Sequence, residues 1–169
     1  MAHFAEIKTD NNTVLRVVVI NDNDISSLGE DTPEAENWVA SNIVNDPILL
    51  ESFGGNYPDT YWKRTSYSTI KGSHTGGGTP LRGNYAGADF TYDSINDEFV
   101  PAREFDSWSY DYSTHEWTPP HTYDANATYD SKLVMCDWDE AAGAWLGNTV
   151  GTPSDLVKWS TDSNSWVSR

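Results

Sequence analysis

The chain has 169 residues, of which 26 are acidic and ten are basic, so its formal net charge is −16. An acidic surface repels phosphate, which argues against direct binding of nucleic acid or of an anionic membrane. The single cysteine excludes an internal disulfide framework, and no apolar run has the length of a membrane span. Eight Trp, nine Tyr and five Phe supply most of the large apolar surface, which favours sheet over helix.

Two strands are predicted at the start of the chain. Residues 3–8 (HFAEIK) and 13–20 (TVLRVVVI) flank a turn-forming cluster at 10–12, a pattern typical of a hairpin. The second segment is almost continuous in β-branched residues, so we expect it to be a central strand.

A polar loop and a helix follow. Asp22-Asn23-Asp24 begins like a calcium loop but lacks the required glycine and has Pro33 at the twelfth place, which favours a turn-capping role. Thr32 has the features of an N-cap, with Pro33 at the first helical position, and an apolar stripe extends to Ile43. These signals predict a helix over about 33–45 that Asp46-Pro47 either stops or separates from a short continuation.

A glycine-rich loop comes after a strand predicted at 61–68. Six glycines lie between Gly72 and Gly87, without the Gly-Lys-Ser/Thr ending or the strand-to-helix context of a phosphate-binding loop. Loops of this length are usually functional or held by a partner. Because ordering so many glycines costs conformational entropy, we expect packing against the body or a neighbouring subunit to hold this loop.

A short pattern then recurs four times: an aromatic residue, an acidic turn, and a second aromatic residue seven places on. The copies are Tyr92–Phe99, Tyr110–Trp117, Trp138–Trp145 and Trp159–Trp166. If each pair faces across a hairpin, four residues form the loop, and the last of them commonly adopts the left-handed conformation. That position holds residues that tolerate positive φ: Asp97, His115, Gly143 and Asn164.

The residue before each loop is one whose side chain can accept hydrogen bonds from turn amides. It is Asp93, Asp111, Asp139 or Ser160. The sequence therefore predicts a mainly β protein of successive aromatic-clamped β-hairpins with one short α-helix. We expect two regions, residues 1–90 and residues 91–169, which can pack as one domain.

The pattern of reactive side chains favours no catalytic or cofactor chemistry. The carboxylates are plentiful, yet nothing singles out a pair for acid–base work. The serines lie in no nucleophile-elbow context, and His115 and His121 lack metal-ligand spacing. We therefore expect a protein that is not an enzyme and that carries no metal or cofactor. Its aromatic hairpins either form core or expose rings as a binding platform.

The centre of the chain joins a W-x-x-T-S-Y strand, a glycine-rich loop ending in N-Y-A-G, a Y-D-x-x-x-D-x-F-x-P hairpin and a later S-W. These elements are Trp62, Thr65 to Tyr67, Asn84 to Gly87, Tyr92-Asp93, Asp97, Phe99, Pro101 and Ser107-Trp108. Together they resemble the pattern of a family of small virion structural proteins from marine tailed phages, especially those that infect cyanobacteria. The chain departs from the pattern in having further hairpins after Trp117.

The resemblance implies a non-enzymatic virion protein, made in the host bacterial cytoplasm and assembled into the particle. We expect a capsid decoration protein that binds the major capsid protein, other virion proteins or further copies of itself, because the chain lacks heptads or collagen repeats that would build a shaft. The contact residues expected on the glycine-rich loop are Leu81, Arg82, Asn84 and Tyr85. The alternative is a tail or fibre component that binds host surface glycans through Trp108 and Trp117.

Overall fold

The protein is described from a computed structural model, which covers residues 1–29 and 31–169. The chain divides into two compact units. The first comprises Met1–Ala102 with Tyr110–Trp117, and the second comprises Arg103–Ser109 with Thr118–Arg169. The loops and aromatic clamps of the first two hairpins thus belong to the unit that contains the N-terminal region. The prediction of a mainly β fold built from antiparallel hairpins is confirmed.

The first unit is built on a three-stranded antiparallel sheet. Its strands are β1 (Ala2–Lys8), β2 (Val14–Ile20) and β3 (Thr60–Thr65), in the order β2-β1-β3. Phe4 lies opposite Val18 on one side and Arg64 on the other. The opening hairpin is therefore confirmed, and the strand predicted at 61–68 is present but shorter.

The prediction that β2 is central is wrong, because β1 occupies that place. β1 contains a glutamate, Glu6, and a charged residue is not expected in a central strand. Glu6 is nevertheless buried. Glu6 accepts hydrogen bonds from the guanidinium of Arg16 at 2.7 Å and from the hydroxyls of Tyr57 and Thr60 at 2.8 Å each. A buried carboxylate is tolerated when its charge is paired and its oxygens are hydrogen-bonded, so β1 can be covered on both faces.

Three short helices occur among the described residues: α1 (Asp22–Ile25), α2 (Pro33–Asn42) and α3 (Pro47–Ser52). The predicted helix is α2, which begins at the expected Thr32 cap and ends three residues early. Asp46 caps α3 by accepting from the amides of Ile48 and Leu49, so the Asp-Pro pair separates two helices. The single turn α1, capped by Asn21, replaces the loop that we expected there. None of the described helices is long and apolar enough to cross a membrane.

Two apolar clusters form the core of the first unit, and β1 contributes to both because its side chains alternate between faces. One cluster includes the helices and comprises Ala2, Phe4, Ile20, Ile25, Ala35, Val39 and Trp62. The other includes the first aromatic hairpin and comprises Ala5, Ile7, Val14, Ala86, Tyr92 and Phe99. The first predicted aromatic clamp is therefore core.

All four predicted hairpins are present. They are β6 (Thr91–Asp93) with β7 (Glu98–Val100), β8 (Ser109–Asp111) with β9 (Glu116–Thr118), β10 (Val134–Asp139) with β11 (Ala144–Thr149), and β12 (Leu156–Ser160) with β13 (Ser165–Ser168). The four aromatic pairs have ring centroids 5.2–5.6 Å apart. The last loop residues Asp97, His115, Gly143 and Asn164 all have positive φ. Each residue before the loop accepts at least one hydrogen bond from a turn amide, as predicted.

A smaller hairpin precedes this series and opens the glycine-rich loop. It consists of β4 (Thr69–Ile70) and β5 (Ser73–His74), which pair through Thr69 with His74 and Ile70 with Ser73. Part of the segment that the sequence presents as a long loop is therefore regular structure.

The second unit contains a four-stranded meander in the order β10-β11-β12-β13. Its core comprises Val157, Trp159 and Trp166, against which Tyr123, Tyr129, Cys136 and Trp145 pack. The long linker at 121–132, which is rich in turn residues, thus covers one face of this sheet. The facing pairs Trp138–Trp145 and Trp159–Trp166 place their rings on that covered face, because directly opposed residues share a side of the sheet.

Candidate functional site

Asn84 is the hub that holds the base of the glycine-rich loop, residues 72–87. Its side chain is only 7% exposed. Its Oδ1 accepts from the amide of Lys71 at 3.0 Å, and its Nδ2 lies within 3.1–3.3 Å of the Phe99 carbonyl, the Tyr110 hydroxyl and the His115 carbonyl. One side chain therefore ties the loop to the first two aromatic hairpins.

Arg82 anchors the same segment through charge. Its guanidinium donates to Asp97 at 2.7 Å, to Asp31 at 3.0 Å and to the carbonyl of Arg64 at 2.8 Å. Burial lowers the pKa of Arg82, but the hydrogen bond to Asp97 and the charge of Asp31 outweigh it, so the net pKa lies above its ordinary value. Asp97, predicted only as a turn residue, thus also binds the loop.

A second polar cluster lies beneath the loop, and the sequence did not reveal it. Glu98 is buried, with its Oε1 2.8 Å from His115 Nδ1 and also accepting from the hydroxyl of Tyr110. Burial and the hydrogen bond to Glu98 raise the pKa of Tyr110 well above its usual range. The glycines allow this packing: a Cβ at Gly83 would lie 2.5 Å from Glu98, and one at Gly72 would lie 2.3 Å from His115.

The tip of the loop, residues 75–80, is exposed but ordered by its own contacts. His74 Nδ1 accepts from the amides of Gly76 at 3.1 Å and Gly78 at 3.0 Å. Since Nδ1 acts as an acceptor, the ring proton of the neutral imidazole is on Nε2. The carbonyl of His74 also accepts from Gly77 at 3.0 Å, which closes the glycine turn.

The four loop residues predicted to contact a partner have different environments. Arg82 and Asn84 point inward and stabilise the loop, whereas Leu81 and Tyr85 are half-buried. The Tyr85 hydroxyl lies 3.1 Å from His3 Nδ1, and its ring packs edge-on against Tyr67. The exposed large apolar side chains on the neighbouring segment are instead Tyr67 and Ile70, which are 70% and 53% exposed.

A shallow depression of about 310 Å³ adjoins the tip. Leu81 lines it, so this predicted contact residue faces the surface. The other lining residues are Asp31, Arg64, Ser66, His74, Thr79 and Pro80.

The two tryptophans predicted to bind glycans belong to different units. Trp117, in the first unit, packs edge-on against Tyr110 and donates its indole N–H to the Pro101 carbonyl at 2.8 Å. Trp108, in the second unit, lines a cleft of about 200 Å³ with Glu104, Phe105, Asp137, Trp138 and Trp145. The structure therefore gives Trp117 a clamping role in its own hairpin and assigns Trp108 to an aromatic cleft.

The polar groups of the loop base are bonded mainly to one another, which suits a structural network. Within residues 1–29 and 31–169, no three His, Cys, Asp or Glu side chains are grouped so that they could hold a metal ion. Comparison with protein-family models, with curated proteins and with solved structures finds no match for this chain.

Proposed function

We propose that this chain is a non-enzymatic structural protein of a tailed-phage virion, and that it binds the outer capsid shell as a decoration protein. Its contact surface is the loop tip together with Tyr67 and Ile70. The major capsid protein is the partner.

The observation that carries this proposal is an exposed tip on a buried base. Thr69, Asn84 and Ala86 are buried, while every residue from Thr75 to Pro80 is exposed. Binding usually loses affinity because a flexible loop must be ordered. Here the hydrogen bonds of Asn84 and His74 already order the loop. Contacts made by the tip therefore lose less binding free energy to the entropy cost of ordering.

The residues of the family-like pattern support the same conclusion, since they build this scaffold. Trp62 is core, and the Thr65 hydroxyl accepts from the amide of Ala86 at 2.9 Å. Asn84 binds the amide of Lys71 at the base of the loop, and Asp97 pairs with Arg82. A pattern that encodes a firmly held surface loop suits a protein whose role is recognition of a repeated lattice, where many weak contacts add together.

The net charge of −16 supports a basic docking surface on the shell. Complementary charges at the rim of an interface accelerate association and make it sensitive to salt. The tail or fibre alternative would instead use exposed aromatic rings on a glycan. Of its two predicted residues, Trp108 lines an aromatic cleft, whereas Trp117 packs against Tyr110 within its own hairpin.

The test uses capsids of the encoding phage assembled without this protein. Purified wild-type protein should co-sediment with them, and the native virion should contain it at a copy number comparable with that of the shell subunit. Ile70→Ser and Tyr67→Ala should each weaken binding by about tenfold, since each removes an exposed apolar contact worth about 1–2 kcal/mol.

The matched control is Ile95→Ser, because Ile95 is 93% exposed on a hairpin loop of the same unit. This variant should bind as the wild type does. A copy number typical of a tail ring or fibre, or equal binding by all variants, would reject the decoration proposal. Thermal unfolding of each variant separates lost contact from lost structure.

A further inference from the structure

The aromatic cleft of the second unit has a composition that the decoration role does not use. Four rings line it: Phe105, Trp108, Trp138 and Trp145. Two exposed carboxylates, Glu104 and Asp137, complete the lining. Its volume of about 200 Å³ is below the range usual for drug-sized ligands, so it suits one small group.

The walls of the cleft are fixed by contacts within the unit. Arg103 donates to the carbonyls of Phe105 at 3.0 Å and Trp108 at 2.9 Å, and so holds the turn that carries both rings. The amide and hydroxyl of Ser107 donate to Glu140 at 2.8 and 2.7 Å. Trp138 and Trp145 are a directly opposed pair on neighbouring strands. The site is therefore preformed.

The rings offer π-surface more than hydrogen-bond donors. Trp138 donates its indole N–H to Glu140 at 2.8 Å, and Trp145 donates to the His121 carbonyl at 2.7 Å. The indole nitrogen of Trp108 is buried, with no hydrogen-bond partner in the described residues, although its ring is partly exposed. A ligand would meet faces and edges of rings, together with two carboxylates.

The ring geometry and the charge both favour a cation over a sugar. Trp108 is inclined by 40° to Phe105, by 72° to Trp138 and by 52° to Trp145. Sugars stack on flat platforms, whereas inclined rings surround a compact group. Neither Glu104 nor Asp137 forms a side-chain hydrogen bond or ion pair among residues 1–29 and 31–169. Aromatic rings attract cations through their quadrupole, and carboxylates add to that attraction.

We propose that this cleft binds a cationic side chain, an arginine of a partner protein. A guanidinium is planar, so it stacks on an indole face and presents its edge donors to a carboxylate at the same time. This cleft is separate from the loop tip in sequence and composition, and its preference for arginine does not rest on the capsid location.

The test compares two isosteric probes, N-acetyl-arginine amide and N-acetyl-citrulline amide, which differ in charge. Two-dimensional NMR of the full chain at physiological salt follows the eight indole N–H signals, which single Trp→Phe variants assign. The arginine probe should shift the signals of Trp108, Trp138 and Trp145, and it should bind about tenfold more tightly than the citrulline probe.

Three variants locate the site. Glu104→Gln and Asp137→Asn should each weaken binding of the arginine probe several-fold and leave the citrulline probe unaffected. Asp162→Asn is the matched control, because it removes an exposed carboxylate from a hairpin loop of the same unit and changes the net charge equally. It should have no effect.

Several outcomes would overturn the proposal. They are equal affinity for the two probes, equal loss in all three variants, or no shift of the three signals. A neutral methyl glycoside that shifts those signals when the arginine probe does not would also overturn it and would assign the cleft to glycans. The indole spectra of the variants show directly whether each one is folded.

Discussion

Gly83, like Gly72, is a position at which the glycine-rich loop has no room for a side chain. Its φ is +67°, and a Cβ there would meet the buried carboxyl group of Glu98 at 2.5 Å. Two separate requirements, a left-handed backbone and a close approach, therefore coincide at one position. Glu98 cannot yield easily, because Tyr110 and His115 hold it.

We expect Gly83→Ala to destabilise the protein by about 3 kcal/mol, of which about 1 kcal/mol is the left-handed backbone and about 2 kcal/mol is the overlap with Glu98. Gly77→Ala separates the two contributions, since Gly77 has a φ of +74° and a Cβ at that position would meet nothing within 4 Å. It should cost only about 1 kcal/mol. Urea unfolding measures both values, and equal losses would contradict the close approach.

Sequence reasoning found the residues whose roles are local and missed those whose partners are distant. Positive φ at His115 was predictable because it depends on a four-residue loop. Its contact with Glu98 joins residues 17 positions apart, and the ion pair of Arg82 with Asp31 spans 51. Many carboxylates could serve an arginine in so acidic a chain, so no sequence signal selects Asp31.

The four hairpins share a four-residue loop whose last residue has positive φ. In the last hairpin this backbone requirement can be tested apart from side-chain contacts. Asn164 has a φ of +48° and is exposed at the end of the loop between Trp159 and Trp166. No side-chain hydrogen bond of Asn164 is present among the described residues, unlike Asp97 and His115, which bind other segments. Backbone conformation therefore decides which residue fits there.

We expect Asn164→Gly to leave stability nearly unchanged, and Asn164→Val to cost about 1–2 kcal/mol, because a β-branched residue is strained at positive φ. Asn148 is the control: it is exposed in the middle of a sheet, opposite Met135 and Leu156. There the order should reverse, with Val more stable than Gly by about 1 kcal/mol. Chemical unfolding measures both pairs, and the same order at the two sites would refute the turn assignment.

Strand order was predicted less well than hairpin position, again for a physical reason. The β-branched run of β2 indicated a central strand, but β1 is the central strand. It can be buried there because Glu6 pairs with Arg16 and accepts a hydrogen bond from Thr60, which lies 54 residues away. The aromatic cleft illustrates the same limit. The sequence pattern identified Trp108 but not Phe105 or Asp137. The fold brings these two residues into the same cleft as Trp108, through the turn at 103–108 and strand β10.

The acidic composition of the protein makes its stability depend on pH. The structure lowers the pKa of five carboxyl groups below their ordinary values: Asp93, Asp97, Asp111, Glu140 and Asp155. The hydrogen bond from Tyr112 is the largest cause at Asp93, whose pKa falls to about 2. The folded protein therefore stays ionised at these groups in a range where the unfolded chain takes up protons.

We expect the free energy of unfolding to fall most steeply between about pH 4 and pH 2, where these carboxyl groups titrate in the unfolded chain. The sign follows because the unfolded state binds more protons as the pH drops through its carboxyl pKa values. Tyr112→Phe should raise the pKa of Asp93 and flatten this fall. Urea unfolding across pH and NMR titration of Asp93 measure the two effects.

Tyr67→Phe is the control for that experiment, since the Tyr67 ring is largely exposed and its hydroxyl makes no hydrogen bond among the described residues. It should leave the pH profile of the wild type unchanged. A profile of Tyr112→Phe that coincides with the wild type would show that its hydrogen bond does not hold Asp93 ionised.

The strand orders of the two sheets also bear on how quickly each can assemble. In the second unit every strand pairs with its neighbour in sequence, and two of the three connections are four-residue loops. In the first unit β1 must find β3, with Ala5 opposite Lys63. Closing a long chain segment costs more entropy, and folding slows as contacts become less local. Of these two sheets, the one that is synthesised later therefore has the more local strand pairings and should form faster.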